Sequence, residues 1–168
     1  MTKTLRYFFY IVTGAFVLLA LFMLIRSFGG FSANSASAFE WQKQVNVYFG
    51  NNDMGSSEDC SKVFPISRTI INAETLGPGA LEALILGVSE QDKTSGYFTS
   101  LNDGVLLQKF EIKDKVAYID FNQRFSEVGG SCTVIAIKSQ IENTLNTLPD
   151  IDSVVISVNG KTEGILEP

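Results

Sequence analysis

Residues Tyr7 to Ile25 read YFFYIVTGAFVLLALFMLI, nineteen positions with no charge and Thr13 as the one ordinary polar side chain. A helix of that length rises about 28 Å, close to the hydrocarbon thickness of a bilayer. A soluble core helix would carry a polar face, and this stretch offers none. Lys3 and Arg6 precede it and Arg26 follows it. The positive-inside bias therefore predicts a cytoplasmic N-terminus at 1–6, a single transmembrane anchor at 7–28 and an extracytoplasmic remainder. A cleaved signal peptide is the rival reading, because Ala36-Ser37-Ala38 fits a small-x-small site. The apolar run exceeds the usual h-region, however, and that site lies more than ten residues beyond Ile25.

Setting the basic N-terminus aside changes the charge picture. Residues 31–168 hold 10 of the 13 Lys+Arg against all 18 Asp+Glu, a net of −8. An acidic domain argues against nucleic acid, whose binding draws on basic patches. Both cysteines, Cys60 and Cys132, lie in this part. An even pair in an oxidising compartment reads as a disulfide more often than as two free thiols, with two buried thiols as the rival reading. Closing a loop of about 72 residues would stabilise the fold by roughly 4 kcal/mol in the chain-entropy model. A metal site lacks partners, since the chain contains no histidine.

Gly29–Ala38 (GGFSANSASA) opens a tether assigned to 29–43, and a single domain is expected over 44–168. Trp41 stands beside it, where it could pack on the domain's edge. Val45–Phe49 alternates as a strand, followed by a polar loop to Asp59. Val63–Arg68 looks extended, and Pro65 confines it to an edge or an irregular segment. Pro78 suits a helix first turn, and Leu81, Leu84, Ile85 and Val88 supply one buried face that stops near Gly87. Residues 89–96 read as a hydrophilic loop.

Leu106–Ile112 and Lys115–Phe121 form a predicted hairpin turning at Lys113-Asp114, with Ala117, Ile119 and Phe121 on one face. Ser131 is placed as the N-cap of a helix over 132–148. Its apolar stripe is Val134, Ile137, Ile141, Leu145 and Leu148, and Pro149 ends it. Asp152–Val158 is the last strand. The expected fold is α+β, order β-α-β-β-α-β, with two helices on one face of a small sheet behind one transmembrane helix.

Chemistry is sparse. Without histidine, Ser/His and Cys/His nucleophile systems are excluded. Gly29-Gly30 and Gly129-Gly130 lack the strand, lysine and helix that a phosphate cradle requires. No catalytic residue, metal site or cofactor is assigned. The polar residues nominated for ligand or partner contact are Asp120, Asn122, Arg124 and Glu127, around one strand end.

The run from Val45 to Glu163 resembles the GerMN-domain family of sporulation and germination proteins. The likeness rests on VNVYF, ALEALILG, VAYIDFNQRF, the GGS turn and IKSQIENTLNTLPDIDSVVISVNG, in that order. It implies an extracytoplasmic domain on a transmembrane or lipid anchor. It also implies a fold related to the self-associating ring-building motifs of sporulation channel proteins, and a place in sporulation, germination or the cell envelope. It carries over no catalytic residues. This chain has one copy of the domain where the family's namesake has two, and many members lack the cysteine pair.

Residues and resemblance together point to a non-catalytic, single-pass membrane protein. Its domain is expected to mediate protein–protein or cell-wall contacts in the bacterial envelope, with self-association a further expectation. The alternative is an enzyme or small-ligand binder acting on peptidoglycan fragments.

Overall fold

A computed structural model describes residues 13–23, 42–71 and 75–166. Residues 13–23 are helical (α1), with exposed side chains. The rest of the expected anchor, 7–12 and 24–28, lies outside the described residues, as do residues 29–41 with Trp41. Among the described residues, no helix is long and apolar enough to cross a membrane.

The chain divides into two units, Met1–Phe39 and Glu40–Pro168. The second is built from β1 (Gln42–Asn51), β2 (Phe64–Ile71), α2 (Leu76–Leu86) and α3 (Glu90–Thr94), continuing through β3 (Tyr97–Phe98), β4 (Leu107–Lys113), β5 (Val116–Phe121), α4 (Ser131–Leu145) and β6 (Ser153–Val158). Alternation sets β1: Val45, Val47 and Phe49 are buried, while Asn46 is exposed. β2 pairs antiparallel along it as an edge strand, with Pro65 opposite Tyr48. Pro65 is tolerated because an edge strand needs donors on one side only.

The single small sheet expected from the sequence is instead two three-stranded sheets, ordered β2-β1-β3 and β4-β5-β6. The physical reason lies at the second edge of β1. β3 covers only Gly50 and Asn51 there, and the Tyr48 N–H donates to Thr144 Oγ1 of α4 at 2.9 Å. A helix hydroxyl stands where another strand's carbonyl would be, so the sheet cannot continue.

One apolar cluster nevertheless joins both sheets and the helices α2 and α4. α2 packs on β1, β2 and β4, α4 packs on β1 and β6, and the two helices touch. The α4 stripe is buried as expected, with Ile141 and Leu145 at 0% exposure. Gly77 lets the Phe110 ring of β4 rest against the start of α2, since a Cβ there would overlap the ring.

Several local expectations shift. Residues 89–96 hold α3, capped by a reciprocal box in which Ser89 Oγ accepts from the Asp92 N–H and Asp92 accepts from the Ser89 N–H. α2 ends at Leu86, leaving Val88 outside it and only partly buried. β4 begins at Leu107 rather than Leu106, and the hairpin turns at Asp114-Lys115, not Lys113-Asp114. Both central residues have positive φ, 51° and 62°, the twist-matched geometry of two-residue hairpins. Ser131 is the first residue of α4; Gly130 occupies the cap and supplies no side-chain bond. α4 stops at Leu145, although Leu148 remains buried.

Arg68 of β2 reaches Asp92 of α3 at 2.6 Å, with side chains 26% and 15% exposed. Burial pushes the Asp92 carboxyl up, but donors from Ser89 and Arg68 outweigh it and hold the group below its ordinary 3.8. A lowered folded value means stability that is present above pH 3.8 and lost as pH falls through the folded pKa. Asp92→Asn should therefore cost about 1 kcal/mol at neutral pH. In urea unfolding, the gap from wild type should shrink below pH 3.8; a gap that does not vary with pH would contradict the assignment.

Candidate functional site

The four nominated residues surround the end of β5. Phe121, its last residue, stacks on Phe125, with ring centroids 4.2 Å apart. Phe125 is buried in the short 3-10 turn Gln123–Ser126, so the backbone around Asn122 and Arg124 is fixed from below. Each nominated side chain then takes a local partner. Asp120 Oδ1 accepts from Ser157 Oγ at 2.6 Å and from the Gly160 N–H at 2.8 Å, fastening the turn after β6. Asn122 Oδ1 accepts from the Leu106 N–H at 3.1 Å, while its Nδ2 donates to Gly104 O at 2.9 Å.

Arg124 Nε donates to Asp103 O at 2.9 Å, and its guanidinium pairs with Glu127. Asn102 Nδ2 closes the set by donating to Glu127 O at 2.6 Å. The structure thus brings Asn122, Arg124 and Glu127 together around the 102–106 loop, and puts Asp120 on the β6 side. Their polar atoms hold three chain segments in place. Arg124 and Glu127 remain half exposed and can still meet a partner at the surface.

A second polar centre, unmarked by sequence reasoning, organises the C-terminal end of β1. Asn51 is 1% exposed. Its Oδ1 accepts from the N–H groups of Asp53 and Met54, and its Nδ2 donates to Ser95 O at 2.8 Å. Ser56 Oγ accepts from the Asn51 N–H at 2.9 Å and donates to Lys62 O at 2.6 Å. The loop so pinned carries Cys60, which is disulfide-bonded to Cys132 in the first turn of α4, Cα–Cα 5.4 Å. Beside Cys60, the hydroxyl and N–H of Ser61 hold the Asp59 carboxyl below its ordinary value.

Two cavities lie away from the nominated residues. One, about 150 Å³, runs beneath the disulfide between Phe98, Lys62 and Gln140. The other, about 200 Å³, lies between Lys43, the start of α2 and Pro149. Gln140 and Thr144, both fully buried, are the second class of residue missed in the sequence. Gln140 Oε1 accepts from Thr99 Oγ1 and the Ser100 N–H, each at 3.3 Å. The available signal was spacing: each falls three residues after a stripe position, Ile137 and Ile141. Among the described residues, every buried side-chain nitrogen and oxygen has a partner, and no three acidic or thiol groups gather as a metal site.

These features define a small α+β domain whose nominated polar side chains are engaged in its own architecture. The chain belongs to the Germane family, described as sporulation and spore germination, whose model matches residues 46–164. It is 33% identical over 129 residues to the spore germination protein GerM of Bacillus subtilis strain 168, covering 73% of this chain and 33% of that protein. The chain thus spans about a third of that relative's length. It is also similar to the solved tandem GerMN domains of the B. subtilis sporulation protein GerM. That match has a TM-score of 0.53 and 25% identity, over 78% of this chain and 43% of the other. The first GerMN domain alone matches with a TM-score of 0.52 at 19% identity, over 71% and 85%, a likeness of fold.

An architectural role for the cluster has a measurable signature. Asn122→Ala strands the Leu106 N–H and Gly104 carbonyl, and should destabilise the domain by about 2 kcal/mol. Arg124→Ala, at a half-exposed ion pair, should cost less than about 1 kcal/mol. Chemical denaturation of the two variants checks the order; equal losses would contradict it.

Proposed function

We propose that this chain is a non-catalytic protein of the bacterial envelope, held by its N-terminal apolar segment, whose domain makes contacts with other proteins or with the cell wall. The observation carrying this reading is the engagement of Asp120, Asn122 and Arg124 in loop and turn bonds, so that these nominated side chains serve the domain's own architecture. Family membership supports a setting in sporulation or germination, and the GerM relative bears the name of a spore germination protein. The nineteen-residue uncharged run and its flanking bases support a single span with the domain extracytoplasmic. An acidic domain supports partners other than nucleic acid. Self-association belongs to the same reading, because a domain that works by contact can take a copy of itself as partner.

The test uses the full-length chain in two settings. In spheroplasts, externally added protease should digest the domain and spare the N-terminus. In detergent micelles, the purified chain incubated with peptidoglycan sacculi should release no more soluble fragments than a protein-free control. Fragment release that depends on the chain would overturn the non-catalytic reading in favour of an enzyme acting on the wall. A protected domain would overturn the topology.

A further inference from the structure

The Cys60–Cys132 bridge has an uneven electrostatic setting. Cys132 is the second residue of α4, a fifteen-residue helix with no acid in its first turn and a glycine cap that provides no side-chain acceptor. The first-turn N–H groups and the helix dipole are therefore available to stabilise negative charge on the Cys132 sulfur. Lys62 is the charged side chain lining the cavity beneath both cysteines. Cys60 instead follows Glu58 and Asp59 in sequence, and the Asp59 carboxyl is held ionised by Ser61. Cys60 lies in a turn beside those acids in sequence and has no helix start to supply first-turn N–H groups, whereas Cys132 has one.

The bridge also lies outside the apolar core. Cys132 is exposed and Cys60 half-buried, and neither belongs to the core cluster. The loop carrying Cys60 is pinned independently through Asn51, Ser56 and the Lys62 carbonyl. Opening the bridge therefore leaves the sheets and helices with their own bonds. Buried staples resist reduction, whereas exposed ones with a good leaving thiolate exchange readily.

We propose that Cys60–Cys132 is a reversible thiol–disulfide exchange site, and that its partner is a two-cysteine oxidoreductase that bonds to Cys60 while Cys132 leaves. The partner's thiolate attacks Cys60 Sγ, the Cys60–Cys132 bond breaks, and Cys132 departs as a thiolate. The partner's second thiol gives its proton to solvent and attacks the partner's first sulfur in the mixed disulfide. Cys60 is then released as a thiolate and takes up a proton. The bridge gains two electrons, and the partner's dithiol is oxidised to a disulfide. The reverse sequence closes the bridge.

Glutathione serves as the probe on the oxidised full-length chain in detergent, quenched early with N-ethylmaleimide and mapped by peptide mass spectrometry. Glutathione should be found on Cys60 and maleimide on Cys132; the opposite placement, or an even division, would overturn the proposal. Thr133→Glu puts an acid into the first turn of α4 and should slow the exchange about 3-fold. An unchanged rate would remove the helix terminus as the cause. Far-UV circular dichroism should be the same before and after reduction, and loss of the fold on reduction would mark the bridge as a structural staple and overturn the exchange role.

Discussion

The hydrogen bond from the Tyr48 N–H to the Thr144 hydroxyl decides how the domain is partitioned. A strand edge must find acceptors, and β1 finds them in β2 on one side and in β3 and a helix side chain on the other. With α4 closing that edge, β4, β5 and β6 must form a sheet of their own. Gln140, one turn before Thr144, does the same for Thr99 and Ser100. The two buried polar residues thus fix the segments beside α4, while Ile137, Ile141 and Leu145 supply the apolar contact.

The same logic governs the polar residues nearer the surface. Asn51 and Ser56 hold the loop that carries Cys60, and Asn122 and Asp120 hold the loop and turn around β5 and β6. Each group meets backbone that leaves regular structure and needs partners. The contact role proposed above draws on this engagement, and the Cys60–Cys132 bridge, exposed at Cys132, places chemistry outside the core.

Much of this was legible in the sequence where periodicity carried the signal. The alternation of Val45, Val47 and Phe49, the hairpin strands and the α4 stripe all follow from period 2 or 3.6. The ordered motifs of the GerMN family were legible as well, and the Germane match agrees with them. The number of sheets was not, because it rests on one hydroxyl, Thr144, whose helical spacing sets it beside the apolar stripe but cannot reveal its bond to the Tyr48 N–H. β3 is two residues long and gives no pattern to read. α3 was legible in principle through Ser89 and Asp92, three apart, but its five residues carry no apolar stripe. The nominated site residues were grouped by proximity to one strand end; the structure shows three converging on the 102–106 loop and Asp120 serving the β6 turn.

Because α4 is the element that separates the sheets and buries the stripe, removing its edge contact tests the account most directly. Thr144→Val keeps the shape and deletes the acceptor, leaving the Tyr48 N–H without its partner. Urea unfolding of the variant should show a loss of about 2 kcal/mol with an unchanged denaturant slope, and the Tyr48 amide should exchange with solvent faster than in the wild type. A variant as stable as the wild type, with Tyr48 still protected, would contradict the claim that α4 completes the edge of β1.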